Sequence, residues 1–348
     1  MREKLVRLDP IGAILLTSSL ICLFLALQWG GNQLPWSSPK VWGCLICSGL
    51  LAILFIVLQA IREEKYAPWF PWQRPRINPL CLARATIPLR ILKQRTVAVS
   101  CIFSGLYGMA VITHSYFLPI YFQSIKGTSA AISGVYGLPF TFVSALGTIC
   151  AGFHMTAYGY YVPFMWTGSI FYVAGSVVYY LLQVDSNPGM WVGCQILAGI
   201  GFGISVQVTF LAVQVVTPSE DMPTACSWEV FFKSLGGAVG ISVAQTIFSD
   251  VLFSRLQQIP GLNAAAVVDA GAADVSVTKG VVPAALVDKV KIAYSDAISR
   301  AFIVPIAVTA LAVVLTWGLE RRRIPMEDED IAQNSIPESA EAPAGTPK

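Results

Sequence analysis

The sequence predicts an all-α, polytopic membrane protein with eight transmembrane helices. Of its 348 residues, 55% are hydrophobic and 12% are charged, which is about half the charged fraction of a typical soluble domain. Eight apolar runs approach or exceed the roughly 20 residues that a helix needs to cross a hydrocarbon core about 30 Å thick. In chain order the runs are 11–29, 41–61, 97–122, 131–153, 162–182, 190–216, 225–248 and 301–319.

Helices are expected in these runs because lipid offers no partner to an exposed peptide group, whereas a helix satisfies its own N–H and C=O groups. The first two runs are separated by a turn rich in Gly, Pro and Ser and therefore form a hairpin. Brief turns join the third to seventh runs, so these helices are expected to pack as sequential neighbours in one bundle.

Four regions follow from this pattern. The first is a cytosolic start with the helix hairpin, and the second is a basic, proline-rich cytosolic loop. The third is a six-helix bundle that contains a long outside loop, with a short surface helix near residues 286–297. The fourth is a polar tail that has too few apolar residues to fold and is expected to be disordered. Their bounds are 1–61, 62–96, 97–319 with the outside loop at 249–300, and 320–348.

Lysine and arginine lie mainly on one side of the predicted membrane. The segments on that side hold Arg2, Lys4, Arg7, Arg62, Lys65, Arg74, Arg76, Arg84, Arg90, Lys93, Arg95, Arg321, Arg322 and Arg323. The short loops on the other side hold only Lys40 and Lys126. Because cytosolic loops carry the excess of basic residues, both termini are predicted to face the cytosol.

The cysteines indicate no metal or redox site. Most of them lie within the apolar runs, where a thiol behaves as a small apolar residue. Cys44 and Cys47 form a C-x-x-C motif without a second ligand pair, so no metal, disulfide framework or other cofactor is expected. The aromatic residues beside Arg74 and Arg76 are explained by the anionic inner face of a membrane, and no nucleic-acid partner is expected.

Three glutamines lie in the run 190–216, where an amide must find a partner or face a water-filled cavity. Gln207 and Gln214 are seven residues apart and share a helix face, and Gln195 lies nearer the start of the run. Hydrogen bonding between helices explains them structurally, at about 0.6 to 2 kcal/mol each. A polar stripe along a substrate path explains them equally well, and both alternatives stay open.

Glu229 and Lys233 are the only formal charges within the long apolar runs. At positions i and i+4 the carboxylate can reach the ammonium, which lowers the cost of holding either charge in lipid. A structural pair is one interpretation, and a role in substrate binding or proton coupling is the other. His114 is the only histidine deep within a long run, and a hydrogen-bonded packing residue is favoured over a proton relay.

Two pairs of glycines and two prolines mark predicted helix contacts and bends. The glycines of each pair are four residues apart, a spacing that lets helix backbones approach closely. Each proline removes a helix hydrogen bond and is predicted to mark a bend. These residues are Gly199 with Gly203, Gly236 with Gly240, Pro119 and Pro139.

A series of local patterns runs through the chain and resembles one family. In order, the patterns are Leu8-Asp9 with Ile11-Gly12, 25–31 (LALQWGG), 92–95 (LKQR), 116–123 (YFLPIYFQ), 159–161 (GYY), Gln195 with Gly199 and Gly203, and 235–237 (LGG). They resemble the fungal 14-helix branch of the major facilitator superfamily, the drug:proton antiporters that include toxin and secondary-metabolite efflux pumps.

The resemblance extends over about 8–319 and implies an alignment with helices seven to fourteen of that fold, which are two linker helices and the six-helix C-terminal half. Alternating access rocks one half against the other, so the chain is expected to be inactive alone or to depend on a complementary N-terminal half. Residues 66–83 resemble an insertion, and with the position of Met1 this leaves two interpretations open, a genuine product or a faulty gene model such as a retained intron. Lys233 stands where relatives of this branch commonly have Gln.

The resemblance predicts proton-coupled efflux of an amphipathic drug-like molecule, toxin or secondary metabolite. Tyr116 and Gln123 join the three glutamines as substrate-path candidates. The expected partners are the bilayer, the solute and protons, and the plasma membrane is favoured over a vacuolar or vesicular membrane. The alternative is a truncated or accessory membrane protein without transport activity. A membrane-embedded enzyme is disfavoured because His114 has no nearby acid.

Overall fold

A computed structural model describes residues 9–30, 34, 36–66, 89–92, 94–158, 162–219, 221–270 and 282–316. Its helices, numbered in chain order, are α1 (Pro10–Trp29), α2 (Pro39–Tyr66), α3 (Leu89–Leu92), α4 (Arg95–Ser124), α5 (Ala130–Tyr136), α6 (Leu138–Tyr158), α7 (Val162–Tyr180), α8 (Pro188–Val216), α9 (Met222–Gln257), α10 (Ala264–Ala270), α11 (Val287–Ala301) and α12 (Ile303–Leu315). A 3₁₀ turn at Ala284–Leu286 precedes α11.

The predicted all-α chain with eight spans is confirmed within the described residues. Eight helical segments are long and apolar enough to cross a membrane, and each overlaps one of the predicted runs. Two of the segments combine neighbouring helices, because α5 joins α6 and α11 joins α12. The expected insertion at 66–83, except for Tyr66 at the end of α2, and the expected tail at 320–348 lie outside the described residues.

The region expected to be a long outside loop is partly helical. Helix α9 continues to Gln257, and α11 begins at Val287, so helices occupy both ends of the segment 249–300. Helix α11 buries Val290, Tyr294 and Ile298 and packs against α9 and α4, so the expected surface helix is part of the bundle. The 13 residues of α12 are about 20 Å long, and together with α11 they form one apolar span over Val287–Leu315.

Helices α5 and α6 form one span that is interrupted at Gly137. The Gly137 N–H donates to the Gly134 carbonyl at 3.1 Å, which tightens the last turn of α5. Pro139 is the second residue of α6, where a missing N–H costs little because the first turn has no intrahelical acceptor for it. Pro119, by contrast, lies inside α4, which remains helical from Arg95 to Ser124.

Helix α4 occupies the centre of the bundle. It packs most extensively against α9 and also contacts α8, α11 and α12. Helix α8 lies between α6 and α7, and α7 also contacts α12. The main apolar core is rich in large aromatic side chains, and its fully buried members include Tyr107, Tyr172, Tyr179, Phe103, Phe117 and Phe302.

Glycines set the close approach of α9 to α4. A methyl group added at Gly236 would meet the backbone carbonyl of Gly105. One added at Gly240 would lie 2.6 Å from the Cα atom of Met109. Because backbone atoms cannot move away as a flexible side chain can, larger residues at these two positions would force the helices apart.

The same arrangement joins α8 to α6. A methyl group at Gly203 would meet the backbone carbonyl of Ser144, and one at Gly199 would lie 3.0 Å from the carbonyl oxygen of Phe140. The Thr148 hydroxyl also donates to the Gly203 carbonyl at 3.2 Å. Helix α6 is therefore attached to the bundle mainly along this glycine face of α8.

Polar contacts at two levels hold the α1–α2 hairpin together. Asp9 caps α1, since its Oδ1 accepts from the Gly12 N–H at 2.7 Å while its Oδ2 accepts from Gln59 Nε2 at 2.8 Å. Further along, Ser19 and Ser48 each donate a hydroxyl hydrogen bond to the other's carbonyl at 2.9 Å. The hairpin meets the bundle through α9 and leaves most of its apolar surface outside.

Candidate functional site

A stripe of buried polar side chains runs along one face of α4. Its members are Ser104, Tyr107, His114 and Tyr121, all at most 4% exposed. Successive members are three or seven residues apart, so they share a face of the helix. Each one contacts a different part of the bundle, which makes α4 the helix to which the others are tied by hydrogen bonds.

Glu229 of α9 meets the first member of this stripe. The Ser104 hydroxyl donates to Glu229 Oε1 at 2.6 Å, and the glutamate is 3% exposed. A carboxyl group within a membrane-spanning helix is costly to bury and almost always faces the interior of a bundle. The short hydrogen bond to Ser104 offsets part of that cost.

Lys233, one turn further along α9, has a different partner. Its Nζ lies 5.3 Å from the centre of the Phe202 ring on α8, within the range of a cation–π contact. The sequence spacing suggested an ion pair between Glu229 and Lys233, but no such pair forms between these two described residues. The reason is that Ser104 draws the carboxyl group towards α4 while the ring of Phe202 holds the ammonium on the α8 side.

Tyr107 connects α4 to α8. Its hydroxyl lies 3.0 Å from the Ser205 hydroxyl, and either atom can donate. Its ring stacks on Phe103 at a centroid distance of 4.7 Å and lies 5.0 Å from the ring of Tyr172. This side chain therefore fills the core with its ring and satisfies its polar end on a neighbouring helix.

His114 connects α4 to α7. Its Nδ1 lies 3.0 Å from the Tyr172 hydroxyl, and its ring stacks on Tyr179 at 4.3 Å and lies 5.3 Å from Phe302. The other ring nitrogen, Nε2, is buried and has no hydrogen-bond partner among the described residues. It is one of several buried polar side-chain atoms without a partner in the described part of the chain, although such atoms are usually paired in proteins.

The last part of α4 is tied to the turn that follows α7. The Tyr121 hydroxyl donates to the Gln183 carbonyl at 2.8 Å. Just beyond the helix, Lys126 Nζ donates to the carbonyls of Val184 and Ser186 at 2.7 and 2.9 Å. A lysine predicted to lie in an outside loop thus fixes the distance between two helix ends.

The predicted glutamines of α8 do not form one site. Gln195 and Gln214 are 19 residues apart, which is about 28 Å along a helix, so one small ligand cannot reach both. Gln195 is fully buried, and its Nε2 donates to the Trp191 carbonyl of its own helix at 3.0 Å. Gln207 is half-buried, and Gln214 is half-buried beside Cys226.

The other two substrate-path candidates lie on α4, where Gln123 is half-buried and Tyr116 is exposed. Gln123 Nε2 is 3.4 Å from the Ser133 hydroxyl at the start of the α5–α6 span. Tyr116 is 43% exposed and lines a cavity of about 330 Å³ between α1, α4 and α9, together with Gln28 and Gln245. Gln245 was not singled out from the sequence, although an amide in the run 225–248 was a signal of the same kind as the three chosen glutamines.

Sequence reasoning also missed Ser104, Tyr172 and Ser205, which receive three of the polar contacts of the core. Serine is common in membrane helices. The local sequence does not distinguish a serine that contacts a carboxyl group on another helix from one that donates to a carbonyl of its own helix. Within the described residues, no group of three or more His, Cys, Asp or Glu side chains could hold a metal ion.

The chain matches known membrane proteins over most of its length. The sequence profile of the Major Facilitator Superfamily matches residues 10–241. The MFS-type transporter ltbE of Aspergillus luteorubrus is 41% identical over 339 residues, which cover 97% of this chain and 58% of that protein. The efflux pump roqT of Penicillium rubens is 34% identical over 93% of this chain and 56% of its own length.

A third relative is named for its cargo, the MFS acetylaranotin efflux transporter ataA of Aspergillus terreus, which is 32% identical over 91% of this chain and 66% of its own length. The chain thus spans little more than half the length of the first of these relatives.

The fold has a counterpart among solved structures. A bacterial homologue of the human lysosomal transporter Spinster, in an inward-facing and occupied conformation, superposes with a TM-score of 0.54 over 86% of this chain and 62% of its own. The sequence identity is 13%, so this similarity supports the fold alone. With eight apolar helices and a family profile that matches most of the chain, this is an integral, multi-pass membrane protein that belongs to the Major Facilitator Superfamily.

Proposed function

We propose that this chain forms part of an efflux transporter for amphipathic small molecules, of the 14-helix drug:proton antiporter type. The observation that carries the proposal is the extent of the similarity to proteins named as transporters and efflux pumps, which reaches 97% of the chain at 41% identity. One relative is named for a single substrate, acetylaranotin, and that substrate is not assigned to this chain. The substrate class proposed here is broader.

In this proposal, α1 and α2 correspond to the two linker helices, and α4 to α12 correspond to the C-terminal six-helix half. The weak attachment of the α1–α2 hairpin, which meets the bundle through α9, supports this division. Major facilitators carry their substrate between two halves that rock against each other. The chain is therefore proposed to work together with a complementary half that packs on the exposed faces of α4, α6 and α9.

Glu229 is the proposed proton-coupling group. Carboxyl groups inside membrane helices commonly lie on ion or proton pathways, and this one makes a hydrogen bond to another helix through Ser104. A change in the protonation of Glu229 would alter the contact between α4 and α9, which is the most extensive helix contact of the bundle. Lys233 lies one turn away and adds a second charge to the same helix.

Tyr116 and Gln245 are the proposed contacts for the polar groups of the solute. They line the same cavity, and the Oε1 atom of Gln245 is buried without a hydrogen-bond partner among the described residues. Tyr116 presents a ring and a hydroxyl group together, which suits an amphipathic molecule with few polar groups.

Vesicles with an imposed pH gradient test the function. The chain is reconstituted alone, and also after coexpression with the part of the Aspergillus luteorubrus relative that it does not cover. Gradient-driven movement of rhodamine 6G, a fluorescent amphipathic dye, is then recorded. We expect movement only in vesicles that contain both parts. No movement by a copurified, folded pair would contradict the proposed function, and movement by the chain alone would contradict the need for a second half.

Glu229→Gln tests the coupling group in the same vesicles. The expected result is loss of the dependence on the pH gradient, because the amide keeps the hydrogen bond to Ser104 but cannot take up a proton. Asp250→Asn on the exposed side of the same helix is the matched control and is expected to retain gradient-driven movement. Unchanged gradient dependence in Glu229→Gln would remove this residue from the mechanism.

A further inference from the structure

A second cavity lies where the α5–α6 span is interrupted. Its volume is about 200 Å³, and it is lined by α4, by α7 and by the residues around the break at Gly137. It is separate from the cavity that contains Tyr116. Its lining includes His114 and Pro119 of α4, Phe140 and Thr141 of α6, and Tyr179 of α7.

The backbone hydrogen bonding around this cavity is incomplete on two sides. Helix α5 stops at Tyr136 and α6 starts at Leu138, and across the cavity Pro119 has no N–H to donate to the carbonyl of Ser115. Backbone of this kind within the membrane is tolerated where it is buried in protein or lines a cavity that offers other partners. Interrupted helices are also a feature of the substrate sites of transporters.

His114 lines the cavity and carries an unpaired ring nitrogen. The side chain is 4% exposed and lines the cavity, and its Nδ1 is engaged by Tyr172. Nε2 is the ring nitrogen that remains without a partner among the described residues. It is itself buried, so a ligand in the cavity must displace a covering side chain to reach it. Which of the two nitrogens carries the hydrogen depends on whether Tyr172 donates or accepts, so Nε2 can serve as either donor or acceptor.

Size and lining together define the ligand. A protein cavity of about 150 Å³ is large enough to bind benzene, so about 200 Å³ accommodates one six-membered ring with a small substituent. Phe140 and Tyr179 supply aromatic surface for such a ring, and Thr141 supplies a hydroxyl group. The described lining contains no Asp, Glu, Lys or Arg, which favours an uncharged ligand over an ionic one.

We propose that the cavity at the α5–α6 break binds an uncharged aromatic ring that carries a hydroxyl or carbonyl group, with His114 Nε2 as the hydrogen-bond partner of that group. The inference rests on the proposed function in one respect, since the ring is taken to be part of the transported solute. Binding itself requires neither a pH gradient nor a second half, and it can be measured on the chain alone.

The test uses the purified full chain in detergent and two fluorinated probes observed by ¹⁹F NMR. One probe, 4-fluorophenol, carries the hydroxyl group, and the other, fluorobenzene, lacks it. We expect saturable binding of 4-fluorophenol that is about tenfold tighter than that of fluorobenzene, the difference made by one buried hydrogen bond. Equal affinities, or a signal that rises without saturation for both probes as simple partitioning into detergent would give, would overturn the proposal.

Two variants locate the binding. His114→Phe keeps an aromatic ring at the position but removes both nitrogens, and it is expected to bring the affinity for 4-fluorophenol down to that for fluorobenzene. Gly134→Leu fills the cavity from α5, where an added Cβ has no neighbour within 4 Å, and it is expected to abolish saturable binding of both probes. If His114→Phe fails to fold, Gly134→Leu still decides the location.

Gly193→Leu on α8 is the matched control, because its added Cβ also has no neighbour within 4 Å and it lies outside the cavity lining. Unchanged 4-fluorophenol binding in Gly134→Leu would overturn the proposal. The two proposals fail separately. Saturable binding without transport leaves the aromatic site standing, and transport without saturable binding leaves the function standing and removes the site.

Discussion

Helix α4 and the α5–α6 span are both apolar enough to cross a membrane, yet they occupy opposite environments. In the most apolar stretch of α4, 56% of the residues are buried, compared with 6% in that of α5–α6. Helix α4 touches four other long helices, whereas α6 is held mainly by α8. Phe103 of α4 is 1% exposed, and Phe153 of α6 is 78% exposed.

This difference shows that hydropathy identifies a membrane helix but does not determine whether lipid or protein surrounds it. In lipid, an apolar side chain gains little from moving to the protein interior, so position is decided by close backbone packing and by hydrogen bonds between helices. Helix α4 has close backbone packing where Gly105 and Gly108 face α9. It also has hydrogen bonds to other helices through its buried polar stripe. Helix α6 has Ser144 and Thr148 on one narrow face.

Gly236→Leu is expected to have the largest effect, because it pushes a branched side chain into the backbone carbonyl of Gly105 and separates α9 from α4. We expect little or no monodisperse protein in size-exclusion chromatography after membrane extraction. Gly193→Leu, which replaces a glycine with open space around it, is expected to elute as the original chain does. Equal behaviour of the two variants would contradict the proposed close packing at the α4–α9 contact.

Phe103→Ala is the next largest perturbation, and Phe153→Ala is its matched control on α6. In a soluble protein, removing a buried Phe side chain costs about 3–5 kcal/mol, as a lost transfer term plus a cavity term. In lipid the cavity term remains, so Phe103→Ala is expected to lose more stability than the roughly 0.5 kcal/mol of an exposed substitution. The two are compared by SDS-induced unfolding in lipid–detergent mixed micelles. Similar losses of stability in both variants would mean that the two helices are equally buried.

Ser104→Ala is expected to have an intermediate effect. It leaves the buried Glu229 carboxyl group without its hydroxyl donor, at a cost of about 1–3 kcal/mol in the same unfolding measurement. Ser234→Ala provides the comparison, since the Ser234 hydroxyl is exposed and bonds its own helix. A smaller loss in Ser104→Ala than in Ser234→Ala would show that the contact with Glu229 contributes nothing.

Tyr121→Phe is expected to give the smallest measurable effect on α4. It keeps the ring and removes one hydrogen bond to the Gln183 carbonyl, and such bonds in membrane proteins average about 0.6 kcal/mol and reach about 1.7 kcal/mol. Tyr116→Phe on the exposed side of the same helix should leave the stability unchanged. If Tyr121→Phe lost more stability than Phe103→Ala, the hydrogen bond would contribute more than side-chain packing, which would contradict the expected order.

The eight spans were predictable because each apolar run is as long as a bilayer is thick, a property of the local sequence. The partners of the polar residues were not, because they depend on how helices far apart in sequence come together. Glu229 illustrates this, since its spacing to Lys233 is local and suggested an ion pair, whereas its hydrogen-bond partner, Ser104, lies 125 residues away.

The helix break was also only partly predictable. Pro139 indicated a bend near the right place, but the interruption lies at Gly137, where the chain turns before the proline. His114 was expected to be a hydrogen-bonded packing residue, and its contact with Tyr172 has that character. Its unpaired Nε2 could not be foreseen, because an absent partner leaves no trace in the sequence.

The contrast between α4 and α6 is tested most directly by footprinting the chain alone in lipid nanodiscs with a membrane-soluble carbene reagent, followed by mass spectrometry. The structure predicts heavy modification of Phe142, Ile149 and Phe153 on α6 and protection of Phe103 and Phe117 on α4. Equal modification of the two helices, or heavier modification of α4, would contradict the arrangement on which the proposed site and function depend.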